Sequence, residues 1–166
     1  MYAPTPLIAL FSLLALVAAS PLQVRQAGAC PAFPEQDYAS FQISDGVGGN
    51  AASEALAILA PLANCDLTTV DADSLANIKA MRDAAEAAET DVFNPAIDAA
   101  TGAEADALDV GKSKNKVLKH TLFKEFLVIQ AAQGKDNTDA LAVRQKKLDT
   151  NIAIDEKNAG AASLAA

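Results

Sequence analysis

The sequence predicts an all-α protein, a single-domain bundle of four to five helices with an extended N-terminal segment and one disulfide. Three observations predict it. Residues 108–133 contain no proline and one interior glycine, Gly111, and Leu118, Leu122, Phe126 and Ile129 recur there at steps of four, four and three, the spacing of one helix face. Val117, Phe123 and Leu127 widen that face, as packing on several neighbours requires. Alanine, the strongest helix former, supplies much of the 51% apolar content, while aromatics are only 5%. A chain of 166 residues is one domain by length and long enough for a core, although alanine buries little area and the helices must approach closely.

Residues 7–19 (LIALFSLLALVAA) form an uncharged apolar run, shorter than the about 20 residues of a membrane-spanning helix. Small residues follow it, so residues 1–19 read as a signal peptide cleaved between Ala19 and Ser20, leaving a secreted mature chain without a transmembrane segment. Arg25 is a second candidate processing point. Both cysteines, Cys30 and Cys65, fall in the mature chain, and an exported protein meets an oxidising compartment, so a bridge between them is expected. Closing a loop of that length contributes about 3–4 kcal/mol in the chain-entropy model.

Residues 20–43 are proline-containing and expected to be an extended, poorly ordered lead-in, with Tyr38, Phe41 and Ile43 as the first apolar anchors. Ser44-Asp-Gly-Val-Gly-Gly-Asn50 has the glycine and Asp/Asn density of a compact turn, and Asn50 is placed to cap a helix starting at Ala51. It has too few oxygens for a calcium loop and lacks the Lys-Ser/Thr of a phosphate-binding loop.

The first helix, 51–60, is expected to bury Leu56 and Leu59. Asp71 or Asp73 caps the second, 74–93, whose inward stripe reads Leu75, Ile78, Met81, Ala85, Ala88, Val92, with Asp83, Glu86 and Glu89 outward. Asn94-Pro95 reads as a cap followed by proline at the first helical position, giving a short helix over 95–101 that Gly102 ends. The next helix begins near Ala103 and continues into the central stretch, with Gly111 as a candidate kink and Gly134 as its stop. Asn137 or Thr138 caps the last, 139–157, which buries Leu141, Leu148 and Ile152. Residues 158–166 are small and weakly apolar and expected to be disordered, so the helical domain spans 44–157.

The net charge of −8 and pI near 4.5 argue against nucleic acid as partner, because phosphate binding needs a clustered positive field. The charge is uneven: fifteen acidic residues against two basic ones over 35–109, then ten basic against six acidic over 110–166. Either acidic helices pack beside basic ones and the field partly cancels, or Lys112, Lys114, Lys116, Lys119 and Lys124 form a basic outer face for an anionic partner such as a membrane surface or acidic polysaccharide. Those five lysines are the candidate interaction face.

Chemistry is sparse. One histidine, His120, without nearby cysteine does not build a zinc or copper site, and it reads as a surface or boundary residue. The chain has no Gly-x-Ser-x-Gly elbow and no His-Glu-x-x-His pair. Carboxylates abound, but without tryptophan a sugar-binding groove is not expected. The reading is a non-enzyme with no catalytic residue, metal or cofactor. No Asn-x-Ser/Thr acceptor occurs.

Two stretches, Phe41-Gln-Ile-Ser-Asp-Gly-Val-Gly-Gly-Asn-Ala-Ala-Ser-Glu-Ala55 and Val110-Gly-Lys-Ser-Lys-Asn-Lys-Val-Leu-Lys119, occur in this order behind the leader. Over about 41–155 the chain resembles a family of fungal small secreted, effector-like proteins. That resemblance implies secretion by a filamentous fungus, an extracellular location extending to the host apoplast or host cell, and a role in virulence or colonisation through binding a host or cell-wall protein. It carries no active-site residues to transfer. Ser113 stands where an aliphatic residue is usual, which leaves burial there open. The alternatives are an extracellular lipid or hydrophobic-surface binding protein and a structural cell-wall protein. A continuous apolar cavity of several hundred Å³ between helices would favour lipid.

Overall fold

The computed structural model describes residues 28–166; the signal peptide, the Ala19–Ser20 cleavage point and Arg25 lie outside the described residues. In order the elements are β1 Gly28–Ala29, α1 Tyr38–Phe41, β2 Gly46–Val47, α2 Ala51–Ile58, β3 Cys65–Asp66, α3 Ala72–Ala87, α4 Asn94–Ala99, α5 Ala103–Ala132, α6 Thr138–Lys157 and β4 Ala162–Ser163. The protein is all-α: its strands are two-residue pairings, β1 parallel to β3 and β2 antiparallel to β4. None of the described helices is long and apolar enough to cross a membrane.

α5 is the centre. It contacts α2, α3, α4 and α6; of its expected face Val117, Leu118, Leu122 and Ile129 are fully enclosed among Phe33, Phe41, Ile78 and Met81, while Phe123 and Phe126 are only partly buried. Thirty residues at 1.5 Å each give a rod about 45 Å long, so neighbours can line up along it. The helix is continuous through Gly111, and contact explains the glycine. A Cβ there would collide with the Leu164 carbonyl and stand 3.1 Å from the Ser44 carbonyl oxygen.

Several expectations are corrected. In α2 the inner face is Ala51, Ala55 and Leu59, while Leu56 is 62% exposed. The two alanines let α2 approach its neighbours more closely than a leucine would, and the helix start is pinned elsewhere. Asn50 makes no side-chain cap; the Ala51 N–H donates to Asp155 Oδ2 of α6 at 2.9 Å. A carboxylate at a helix N-terminus meets both the free N–H groups and the helix dipole. Asp71, by contrast, caps α3 as expected, accepting from the Ser74 N–H at 2.7 Å.

The Asn94-Pro95 boundary is also corrected. The chain stays helical through it: a π-helical segment, Ala88–Phe93, joins α3 to α4, and Asn94 has right-handed helical angles. Proline in a helix lacks an N–H and crowds the carbonyl four residues before it, and a wider π turn just upstream accommodates this. The turn lengthens the repeat from four residues to five. The inward stripe therefore passes from Ala88 to Phe93, which is buried, and leaves the expected Val92 44% exposed.

Both chain ends of the described region are ordered, against expectation. In the lead-in, the Cys30 N–H donates to Thr69 Oγ1 and the Phe33 N–H to Ser74 Oγ, each at 2.8 Å, and Phe33 is buried. Cys30 and Cys65 are disulfide-bonded with Cα atoms 4.8 Å apart, tying this strand to the region after α2. At the other end, β4 pairs with the glycine-rich turn, the Leu164 N–H donates to the Ala107 carbonyl at 3.0 Å, and the Ala165 N–H donates to Asp45 Oδ1 at 3.0 Å. Ser163 is buried and donates to the Ser44 carbonyl. Backbone hydrogen bonds hold this tail rather than apolar area, so its composition concealed its order. Gly48 permits the approach, since a Cβ there would stand 2.6 Å from the Asn158 carbonyl oxygen.

Candidate functional site

The five lysines of α5 do not form one outer face. Lys114 is fully buried: its Nζ lies 2.9 Å from Glu54 Oε2 of α2 and donates to the Asp45 carbonyl at 2.8 Å and the Val47 carbonyl at 3.2 Å. Lys119 is buried too, paired with Glu89 and 3.4 Å from Glu86. A lone ammonium is costly to bury, so these two are enclosed only because acidic elements meet them. Lys112, Lys116 and Lys124 are partly exposed and make no ion pair among the described residues. Glu54 of α2, Glu86 of α3 and Glu89 of the π-helical segment therefore neutralise part of the basic α5, while Lys112, Lys116 and Lys124 stay unpaired among the described residues.

What the structure brings together instead lies where α5 meets α3 and α6. Phe123 of α5 has two guanidinium groups over its ring, Arg82 of α3 at 4.7 Å and Arg144 of α6 at 3.9 Å from the centroid. Such contacts contribute about 0.5–2 kcal/mol each depending on solvation. Phe126 packs beside Phe123 with ring centroids 6.3 Å apart. Lys79, Arg82, Asp83, Phe123 and Phe126 line an apolar pocket of about 160 Å³. Aliphatic stems and rings make its walls, while the charged heads stay at the rim.

The two arginines differ. Arg82 is neutralised on its own helix, reaching Asp83 at 2.7 Å and Glu86 at 3.0 Å. Arg144 has no carboxylate partner among the described residues; its Nη1 lies 3.0 Å from His120 Nδ1, and its Nε is buried without an acceptor. Arginine only donates, so Nδ1 must be the acceptor and the proton of a neutral imidazole sits on Nε2. His120 is thus buried, not a surface residue. Burial first, then the charges of Lys119, Arg144, Lys147 and Lys116, push its pKa down to about 3. It stays neutral at ordinary pH and cannot serve as a general base of ordinary strength. No group of three or more His, Cys, Asp or Glu side chains able to hold a metal occurs among the described residues.

Lys116, His120 and Phe123 are spaced four and three apart, so one helix face carries a cation, an imidazole and a ring. That spacing was readable in the sequence. Arg144 was not, because nothing local says that α6 lays it over Phe123. Ser113 is partly buried.

A family model matches residues 33–166. The chain belongs to the family described as Domain of unknown function (DUF8454). No curated protein and no solved structure matches it. The DUF8454 match begins at Phe33 and so takes in the end of the lead-in, Cys65 but not Cys30 or β1, the α3–α5–α6 seam and the docked tail.

Proposed function

We propose that this protein is a secreted, non-enzymatic binding module, effector-like in use, which acts on a host or cell-wall protein through the seam of α3, α5 and α6. The observation that carries the reading is the partly exposed Phe123–Phe126 pair with its pocket of about 160 Å³. That volume is close to the about 150 Å³ that accepts one benzene-sized group, and below the about 300–1,000 Å³ of sites that enclose larger ligands. It suits one anchoring side chain of a partner, the usual centre of a protein interface, better than an acyl chain. The buried ionic groups Lys114, Lys119 and Asp155 are engaged in holding helices and turns, and His120 is held neutral by burial and by nearby cations. These features favour cohesion over catalysis. Secretion rests on the apolar leader and is supported by the Cys30–Cys65 bridge, since disulfides persist in oxidising compartments.

The test is an affinity capture with mature protein, residues 20–166, from host extract and lipid extract in parallel, using wild type and Phe126→Ala. A protein retained by wild type and lost by the variant is the expected result. Lipid retained equally by both, with no protein, would overturn it.

A further inference from the structure

The chain carries a net charge of −8, yet where α5 packs on α6 three cations have no carboxylate within 4 Å among the described residues: Lys116 on α5, and Arg144 and Lys147 on α6. Arg144 Nη1 lies 3.0 Å from His120 Nδ1, Lys116 stands one turn before His120 on α5, and Lys147 follows Arg144 by one turn on α6, so helix spacing places the three on neighbouring faces. The His120 Nε2–H adds a donor that makes no hydrogen bond within the described residues. Beside these groups, Val143 is 56% exposed and helps line a shallow groove with Lys146 and Lys147. Arg144 lies over the Phe123 ring, and the same ring forms one wall of the apolar pocket.

We propose that Lys116, Arg144 and Lys147 are the anion-recognising half of this docking surface, and that its occupant is an acidic peptide segment of a protein partner, carrying one apolar side chain for the Phe123–Phe126 pocket. The inference rests on the binding reading above and gives it a ligand class. Charge complementarity and dimensions select the occupant. Seven residues from Lys116 to Phe123 span about 10 Å of helix, which an extended peptide covers in about three residues. The segment therefore presents its anchor and a carboxylate roughly three positions apart, with Arg144 between them. A guanidinium already stacked on a ring is held in place for a carboxylate, so little side-chain freedom is lost on binding. A membrane or nucleic acid needs a wider positive field than three cations on an acidic protein provide.

The experiment titrates the full mature protein, by fluorescence anisotropy, with a short labelled peptide holding one Phe and Glu residues three and four positions away, and with its Gln counterpart. The Glu peptide is expected to bind about tenfold more tightly, and the doubly substituted Lys116→Gln, Lys147→Gln protein is expected to remove that preference. Both lysines are charged rim groups, and circular dichroism checks that the variant keeps its helices. Equal binding of the two peptides, or no binding of either, overturns the assignment. Phosphatidylserine vesicles and heparin are titrated alongside. Binding to either that is tighter than to the Glu peptide, and unchanged by Phe126→Ala, also overturns it. If Phe126-dependent capture of a protein persists while Glu and Gln peptides bind equally, the ligand class fails and the binding reading stands; if capture is independent of Phe126, the binding reading fails.

Discussion

Gly111 of α5 lies directly beneath the Leu164 carbonyl, whose carbon would stand 2.9 Å from a Cβ placed on the glycine. A glycine within a helix ordinarily costs about 1 kcal/mol against alanine, and here that cost makes room for the docked C-terminal segment. Gly111→Ala should therefore destabilise by about 1–3 kcal/mol through overpacking, in spite of alanine's better propensity. In a chain ending at residue 161 the same substitution should cost less, because only the 3.1 Å contact with the Ser44 carbonyl oxygen remains. Urea unfolding of the four proteins measures the coupling, and simple additivity would show that the two residues do not compete for the same space.

Asp155 supplies the acceptor for the first N–H of α2 from the far side of the bundle. Asp155→Ala should cost about 1.5–3 kcal/mol, the range for a hydrogen bond to a charged group. Asp155→Asn keeps an oxygen in place and should cost less. Denaturant midpoints that rank the two variants the other way would mean that Ala51 finds a different acceptor.

Lys114 should behave as a structural residue and Lys124 should not. Lys114→Met leaves the Asp45 and Val47 carbonyls without their donor while Glu54 returns to water, and should cost about 2–4 kcal/mol. Lys124→Met should fall within about 0.5 kcal/mol of wild type. Thermal unfolding distinguishes the two directly.

His120 gives stability a predictable pH slope. Its folded pKa, about 3, lies below the ordinary value of 6.5, so the unfolded chain binds the extra proton first. Its contribution is complete above pH 6.5 and is lost as pH falls toward 3, with a slope of up to about 1.4 kcal/mol per unit. Every charged group acting on it, from Lys116 and Lys119 on α5 to Arg144 and Lys147 on α6, is a cation, so none opposes the direction. His120→Gln retains an acceptor for Arg144 and should flatten the profile between pH 4 and 6.5. An unchanged profile in that window would assign the slope to carboxylates.

Reducing the Cys30–Cys65 bridge should lower stability by about 2–5 kcal/mol. Faster amide exchange is expected at residues 28–34 first, because the remaining ties there are few: the two-residue β1–β3 pairing, the Thr69, Ser74 and Asn77 contacts and the buried Phe33 ring. Hydrogen exchange of oxidised and reduced protein locates the change.

The central helix and the disulfide were legible because they depend on local or pairwise signals. A four-and-three repeat of large apolar residues over 117–129 has only one regular structure that buries it, and two cysteines have one intramolecular pairing. The Leu56 reading failed because hydropathy ranks a leucine above alanine, whereas the packing chose Ala51 and Ala55 for closeness. Val92 failed because a proline three residues later shifts the repeat by one. The candidate site was half visible. Lys116, His120 and Phe123 share a face by spacing, but Arg82 and Arg144 come from helices about forty residues upstream and twenty downstream of Phe123.

The sequence alone determined that helices form, where the longest one runs and which cysteines meet, since periodicity, propensity and covalent chemistry act within the chain itself. Tertiary structure decided which lysines are buried, which arginine stays unneutralised and whether residues 158–166 are ordered. Those outcomes depend on which carboxylates and carbonyls arrive from distant elements, and no window of sequence contains that information.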